Sequence, residues 1–292
     1  MDDRSAGARE FRLIELGLTR YNEALELQLN LHADVRAGRL GAALVLLEHY
    51  PVITLGAGMR PENLLATERE LRAQGIELVR TDRGGDATYH GPGQLVGYAI
   101  VSLRATHCDV HGFLRFLESV IISALADFGV VGTRNGPAGV WVGEKKICSI
   151  GIAVRGGVTY HGFALNVNPD LRHFRFINPC GLSWEQITSL GCLLNPPPDM
   201  AAVRACVAEH FRSHLPRALD VILSASEESG AGEQHRPVSG KGFPETTGTL
   251  DVILSGSEES GRRERILHFV QNDSSGLSPQ SSVLSPSVSG AL

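Results

Sequence analysis

Residues 147–154, ICSIGIAV, and 158–167, VTYHGFALNV, are two runs rich in β-branched side chains with RGG at 155–157 between them. Branching at Cβ suits a pleated strand, and a short glycine-bearing connection folds two such runs into a hairpin. A hairpin in mid-chain argues against a wholly parallel, doubly wound sheet. Further strands are expected at 43–49 and 51–56, separated by a turn at Tyr50 and Pro51, and at 96–103 and 139–143. The clearest helix covers 109–128, where Val110, Phe113, Leu114, Leu117, Ile121, Leu125 and Phe128 share one face, with Asp109 as N-cap and Gly129 as terminator. Pro61 opens another helix, and residues 199–214 supply a closing one. Strand pairs with segregated helices predict an α/β fold of the α+β type, with mixed β-sheets flanked by helices.

Composition divides the chain unequally. Residues 1–216 are expected to form one catalytic-sized domain, whereas 217–292 are rich in Ser, Gly, Glu and Pro, with only Phe243 and Phe269 as aromatics. Within that tail DVILSASEESG, starting at Asp220, recurs as DVILSGSEESG from Asp251. Two copies are too few for a solenoid, and so polar a segment buries too little surface to fold alone, so a disordered appendage is expected. A formal charge of −5 gives no global reason to expect nucleic-acid or membrane-surface binding. The opening MDDRSAGAREFRLIE has no apolar stretch, and no run approaches the roughly 20 apolar residues that span a bilayer, so a cytoplasmic location is expected. The five cysteines form no CxxC pair, which predicts reduced thiols, no disulfide framework and no metal.

The chemistry is concentrated elsewhere. Residues 83–94 read RGGDATYHGPGQ, a glycine-rich stretch that lets backbone N–H groups approach a ligand closely. It has neither the spacing of a dinucleotide fingerprint nor the Gly-Lys-Ser/Thr ending of a P-loop, so no nucleotide is expected. Cys180, in INPCGL, falls in a segment that no helix or strand period claims. A lone cysteine is more often a small buried hydrophobe than a nucleophile, and nucleophilic work needs a neighbouring cation or base to raise its thiolate fraction. Lys146, His161 and His173 are the candidates. Lys146 follows Lys145 just before a strand, where an exposed turn lysine is the ordinary outcome.

Taken in order and spacing, RGGDATYHGPGQ, GEKKICSIGIAV, VTYHGFALNVNPDL and INPCGL resemble the octanoyltransferases of the lipoate-protein ligase B family, as do the upstream LGLTRYNEALELQ and LLEHYPVITLG. The resemblance covers residues 12–214 and leaves the repeat-bearing tail outside. It implies the catalytic fold shared by biotin- and lipoate-protein ligases and transfer of octanoyl from acyl carrier protein to a lysine of a lipoyl domain. The implied acceptors are the lipoyl domains of 2-oxo acid dehydrogenases and the glycine-cleavage H protein. By position, Cys180 is implied as the nucleophile and Lys146 as the residue that activates it. Arg83, Gly84, Gly85, Asp86, Ala87, Thr88, Tyr89 and His90, with Ser149, Ile150, Gly151, Gly162, Phe163 and Ala164, are implied to line the acyl site. Because the donor arrives as a thioester, no ATP and no cofactor are implied. Arg155, Arg172 and Arg175 are candidate contacts for acidic partner domains, with solvated surface positions as the equal alternative. The rival readings are an amidotransferase that draws octanoyl from another lipoyl domain, an ATP-dependent lipoate ligase, and a catalytically silent acyl-binding protein.

Overall fold

The computed structural model describes residues 11–227. Within them the chain begins with β1 (Phe11–Thr19), α1 (Tyr21–Arg36), β2 (Ala42–His49), β3 (Val52–Leu55), α2 (Glu68–Ala73), β4 (Glu77–Arg80), β5 (Ala87–His90) and β6 (Gln94–Val101). It continues through α3 (Val110–Asp127), β7 (Gly139–Val142), β8 (Lys145–Arg155), β9 (Val158–Asn166), α4 (Leu190–Leu193) and α5 (Met200–Glu227). The strands form a six-stranded sheet in the order β1-β2-β6-β9-β8-β7 and a three-stranded sheet in the order β4-β3-β5. Both are mixed: β1 pairs with β2 and β3 with β4 in parallel, and the other pairs run antiparallel.

The expected hairpin is β8 and β9, in register from Cys148 opposite Leu165 to Arg155 opposite Val158. Its turn places Gly156 and Gly157 at φ +59° and +81°, the left-handed geometry that a two-residue hairpin turn demands. Asp109 caps α3 by accepting from Gly112 N at 2.6 Å, as its position before the apolar stripe predicts. Pro61 opens only a single 3-10 turn, Pro61–Asn63, and the regular helix starts later, at Glu68 after its N-cap Thr67. There Thr67 and Glu70 satisfy each other's backbone N–H groups in a reciprocal cap.

Alternation along the central strands builds two cores. In β2, Leu44 and Leu46 face Phe113, Leu117, Val207 and Phe211 of α3 and α5, whereas Ala43, Val45 and Leu47 face Leu31 and Val35 of α1. The large sheet is therefore buried on both faces, which is why 43–49 reads as a continuous apolar run. The small sheet has its own core of Ile53, Leu55, Leu71, Tyr89, Phe174 and Ile177. The runs at 43–49 and 51–56, adjacent in sequence, belong to different sheets, and the turn between them carries the chain from one to the other.

The closing helix is longer than expected. α5 continues past residue 216 to Glu227, so the first repeat copy enters as helix through residues 220–227. The rest of the tail, with the second copy, lies outside the described residues. No helix among the described residues is long and apolar enough to cross a membrane.

Candidate active site

The small sheet reaches the large one through the glycine-rich stretch. Gly84 N donates to Ile152 O at 2.8 Å, tying the stretch to β8. The approach is so close that a Cβ on Gly151 would stand 2.6 Å from Gly84 O, so glycine at 151 is what lets the two segments touch. Between them lies a narrow cavity of about 40 Å³, lined from both sheets.

Twelve of the fourteen residues expected around an acyl chain line this cavity: Arg83, Gly84, Gly85, Ala87, Thr88 and His90 from the small-sheet side, and Ser149, Ile150, Gly151, Gly162, Phe163 and Ala164 from β8 and β9. Asp86 and Tyr89 do not, and for Tyr89 the reason is the strand. Residues 87–90 are extended rather than looped, so side chains alternate between the two faces. Thr88 and His90 go to the cavity, while Tyr89 goes to the small core, where it packs on Phe174 and its hydroxyl pairs with His173 Nδ1 at 2.8 Å. The tyrosine expected to enclose the acyl chain is thus a core residue, and the same bond occupies His173. Asp86 turns its carboxylate back on the chain, accepting from Ala87 N at 2.7 Å, Arg60 N at 3.2 Å and the Asn63 amide. It fixes the loop from behind.

Arg83 does the same from the front. Its guanidinium donates to Thr54 O, Thr54 Oγ1, Asp86 O and Gly84 O at 2.7–3.1 Å, so a buried positive charge is tied into the loop's own carbonyls. A second chain of bonds crosses between the sheets. His90 Nδ1 meets Gln94 Oε1 at 2.8 Å, Gln94 Nε2 donates to Asn166 Oδ1 at 2.9 Å, and Asn166 Nδ2 donates to Thr188 O at 3.0 Å. Thr188 N then donates to Lys146 O at 2.9 Å, so the network ends on the backbone of the candidate lysine.

Lys146 is not the exposed turn lysine its neighbour suggests: it is 2% exposed and lines the cavity, while Lys145 is exposed. Room for its stem comes from β7, where a Cβ on Gly139 would stand 2.7 Å from Lys146 Cε, and Gly139 has φ +139°. Its Nζ lies 5.6 Å from the centre of the Trp141 ring, a cation–π placement. Buried beside this side chain, Cys148 has its thiol pushed up to about 12 by desolvation, with Lys146 pulling the other way.

Cys180 is the middle residue of a 3-10 turn, Pro179–Gly181, whose Pro179 shares the cavity wall with Lys146. Asn178 N donates to Asn63 O at 2.8 Å on one side of this turn, and Thr188 N bonds to Lys146 O on the other. The cysteine segment is therefore anchored at one end to the small sheet's loop and at the other to the lysine strand.

Tyr21 and His161 also line the cavity, together with Val96 and Tyr98. Tyr98 OH and His49 Nε2 meet at 2.6 Å, and Tyr21 OH donates to Thr81 Oγ1 at 3.0 Å. His161 Nε2 lies 2.9 Å from Asp82 Oδ1, and the Tyr160 hydroxyl donates to the other oxygen of that carboxylate. Burial works against the Asp82 charge, but these two bonds outweigh it and hold the carboxyl at about 2. His161 is itself kept below the ordinary histidine range by desolvation, which makes it a weak base despite its carboxylate partner. Two buried atoms of lining residues, Thr88 Oγ1 and His161 Nδ1, have no hydrogen-bond partner among the described residues. The Thr88 hydroxyl can donate to a bound carbonyl, whereas neutral His161, whose Nε2–H faces Asp82, offers Nδ1 only as an acceptor for a donor group.

The histidines give the fold a pH signature. Desolvation lowers His49 to about 4 and His90 well below its usual value. Unfolded histidines take up a proton near pH 6.5, so from there down to about 4 the unfolded state binds more protons, and stability falls as pH falls. Asp82 adds nothing to this slope, since its contribution is lost only below the ordinary carboxylate range. The urea midpoint is expected to drop steadily between pH 7 and pH 4.5, and His49→Gln to flatten the drop.

Residues 20–212 match the family described as the lipoyl protein ligase A/B catalytic domain. The chain is 47% identical over 199 residues to an octanoyltransferase of Chloroflexus aggregans, covering 67% of this chain and 90% of that one. With an octanoyltransferase of Geotalea uraniireducens it shares 45% over 204 residues, 70% of this chain and 92% of the relative. Among solved structures, lipoate-protein ligase A bound with ATP superposes with a TM-score of 0.57 at 21% identity, covering 70% of this chain and 85% of that one. A putative lipoate protein ligase from T. acidophilum with bound lipoic acid gives 0.56 at 20% identity, with the same coverage. These last two establish a common fold.

Proposed function

The chain belongs to the lipoyl protein ligase A/B catalytic-domain family, on its octanoyltransferase branch, and from that membership we propose a two-step acyl transfer through Cys180. The observation that carries this reading is the burial of Lys146 in one cavity with the glycine-rich stretch and Pro179, the neighbour of Cys180.

In the first step the Cys180 thiolate attacks the thioester carbonyl of octanoyl acyl carrier protein. The carrier's phosphopantetheine leaves as a thiolate and takes the proton that the Cys180 thiol gave up, and octanoyl remains on the enzyme as a new thioester. One thioester replaces another, so the exchange needs no ATP. In the second step the lysine amine of a lipoyl domain attacks the acyl-cysteine, an amide forms, and the Cys180 thiolate is released. The incoming amine must lose a proton, and a buried lysine is suited to take it when neutral and to hold the thiolate when charged. The lipoyl domains of 2-oxo acid dehydrogenases and the glycine-cleavage H protein are the acceptors in this reading, with the cytoplasm as the place of reaction.

The cavity wall supports an aliphatic guest. Val96, Ile150, Phe163 and Ala164 supply apolar surface, and each methylene removed from water contributes about 0.8 kcal/mol. One methylene more or less therefore changes affinity only modestly, and neighbouring chain lengths are expected to be accepted at reduced rates.

The test is to incubate the full chain with octanoyl acyl carrier protein, without ATP or acceptor, and record its intact mass. An octanoyl adduct that then moves to an added lipoyl domain is expected. A protein that stays unmodified by competent carrier, but accepts octanoyl from an octanoylated lipoyl domain, would replace this donor with the amidotransferase one.

A further inference from the structure

Outside the cavity, three side chains of different chemistry converge where α3 meets α5. Asp127 is the last residue of α3, and Cys206 and His210 stand four apart on α5, hence on one face of that helix. Cys206 Sγ lies 3.3 Å and His210 Nε2 2.8 Å from the same oxygen, Asp127 Oδ2. One ligand-type atom from each residue falls within 4.8 Å of the other two, the only such group among the described residues. None of the three lines the acyl cavity.

We infer that Asp127, Cys206 and His210 form a binding site for a divalent cation of the zinc type, which joins the end of α3 to α5. The donor set decides the class: one sulfur, one imidazole nitrogen and one carboxylate oxygen suit zinc or cobalt, whereas magnesium and calcium take oxygen. The spacing fits as well. Bonds of about 2.0–2.3 Å at tetrahedral angles separate neighbouring ligands by about 3.3–3.8 Å, so the two contacts to Asp127 Oδ2 need to open by less than about 1 Å, while Cys206 Sγ and His210 Nε2, within 4.8 Å of each other, need to close by about 1 Å at most. The place favours a cation independently of these side chains, because the C-terminus of α3 carries the helix's negative dipole end. Ala124 O, in that last turn, is 3.7 Å from Cys206 Sγ. On binding, Cys206 loses its thiol proton to solvent, a sulfur–metal bond forms, and the exposed side of the site leaves the fourth position to water. No local motif announces this site, since position 127 and positions 206 and 210 are distant in sequence; the absence of CxxC spacing speaks only to sites built from one segment.

Cobalt is the probe, because a thiolate ligand gives it a near-ultraviolet charge-transfer band and a tetrahedral site gives visible bands. The untagged full chain, stripped with chelator, is titrated with Co²⁺ alongside Cys206→Ser, His210→Ala, Asp127→Asn and Cys180→Ala. Expected are one equivalent of cobalt with both sets of bands, displacement by Zn²⁺, and a raised unfolding temperature with either metal. Cys206→Ser is expected to lose the thiolate band, and His210→Ala and Asp127→Asn to bind at least tenfold more weakly, with octanoyl transfer unchanged in all three. Cys180→Ala is expected to keep the bands. Bands that vanish in Cys180→Ala but persist in Cys206→Ser would put the metal on the other cysteine and overturn the inference. A wild-type chain that binds no cobalt would overturn it too.

Discussion

Cys180→Ala is expected to lose the octanoyl adduct altogether and to slow octanoyl transfer by about 10⁶-fold, the scale seen when the nucleophile of an acyl-transfer enzyme is deleted. The other cysteine near the lysine offers no substitute. Cys148 is fully buried in β8, and desolvation pushes its thiol up to about 12, so at pH 7 its thiolate fraction is on the order of one part in 10⁵. It also points its sulfur toward Ser149 O, at 3.6 Å, within its own strand. Cys206 sits on α5 beside Asp127, on a different surface from the cavity. The measurement is intact mass after incubation with octanoyl acyl carrier protein, followed by peptide mapping of any acylated cysteine. Octanoyl on Cys148 of the wild-type protein would move the nucleophile from the turn after β9 to the strand before it.

The sequence showed the sheet's central hairpin because both its determinants are local: β-branched runs and the glycines at 156 and 157. The helix over α3 was equally legible, since an N-cap, an apolar stripe and a terminating glycine all lie within one segment. Strand pairing between distant segments leaves no such mark. β3, β4 and β5 form a sheet of their own, yet β4 is only Glu77–Arg80 and its residues show no strict alternation. For the same reason the glycine-rich stretch passed for a loop throughout. Once residues 87–90 pair with β3, the period of two sends Thr88 and His90 to the ligand side and Tyr89 to the core, and a loop reading has no period with which to sort them. Tyr21 and Tyr98 reach the cavity from α1 and β6, elements whose own patterns report only burial. Their polar ends are the one available signal, because a tyrosine in an otherwise apolar strand such as VGYAIVSL needs a partner for its hydroxyl. Here that partner is His49.

Lys146→Met is expected to lower octanoyl transfer at pH 7 by about 10²–10⁴-fold, the ordinary range for loss of a positioned acid or base, while the protein stays folded. Met keeps the unbranched stem that fills the space left by Gly139 and gives up only the amine. Without that amine the Cys180 thiol titrates as an unassisted one, near pKa 8.5, so adduct formation by Lys146→Met is expected to recover as pH is raised through that value. A variant whose pH profile matches the wild type would remove Lys146 from thiol activation. Lys146→Arg separates the two proposed roles of the lysine. A guanidinium stays charged and can still favour a thiolate, but it cannot take a proton from the incoming lipoyl-domain amine. If the lysine serves both half-reactions, Lys146→Arg should retain more acylation than transfer, and acyl-enzyme should accumulate in the presence of acceptor. Equal losses in both steps would instead point to the larger head group failing to fit between Trp141 and Gly139, a question settled by whether Gly139, already at φ +139°, leaves the stem room to turn.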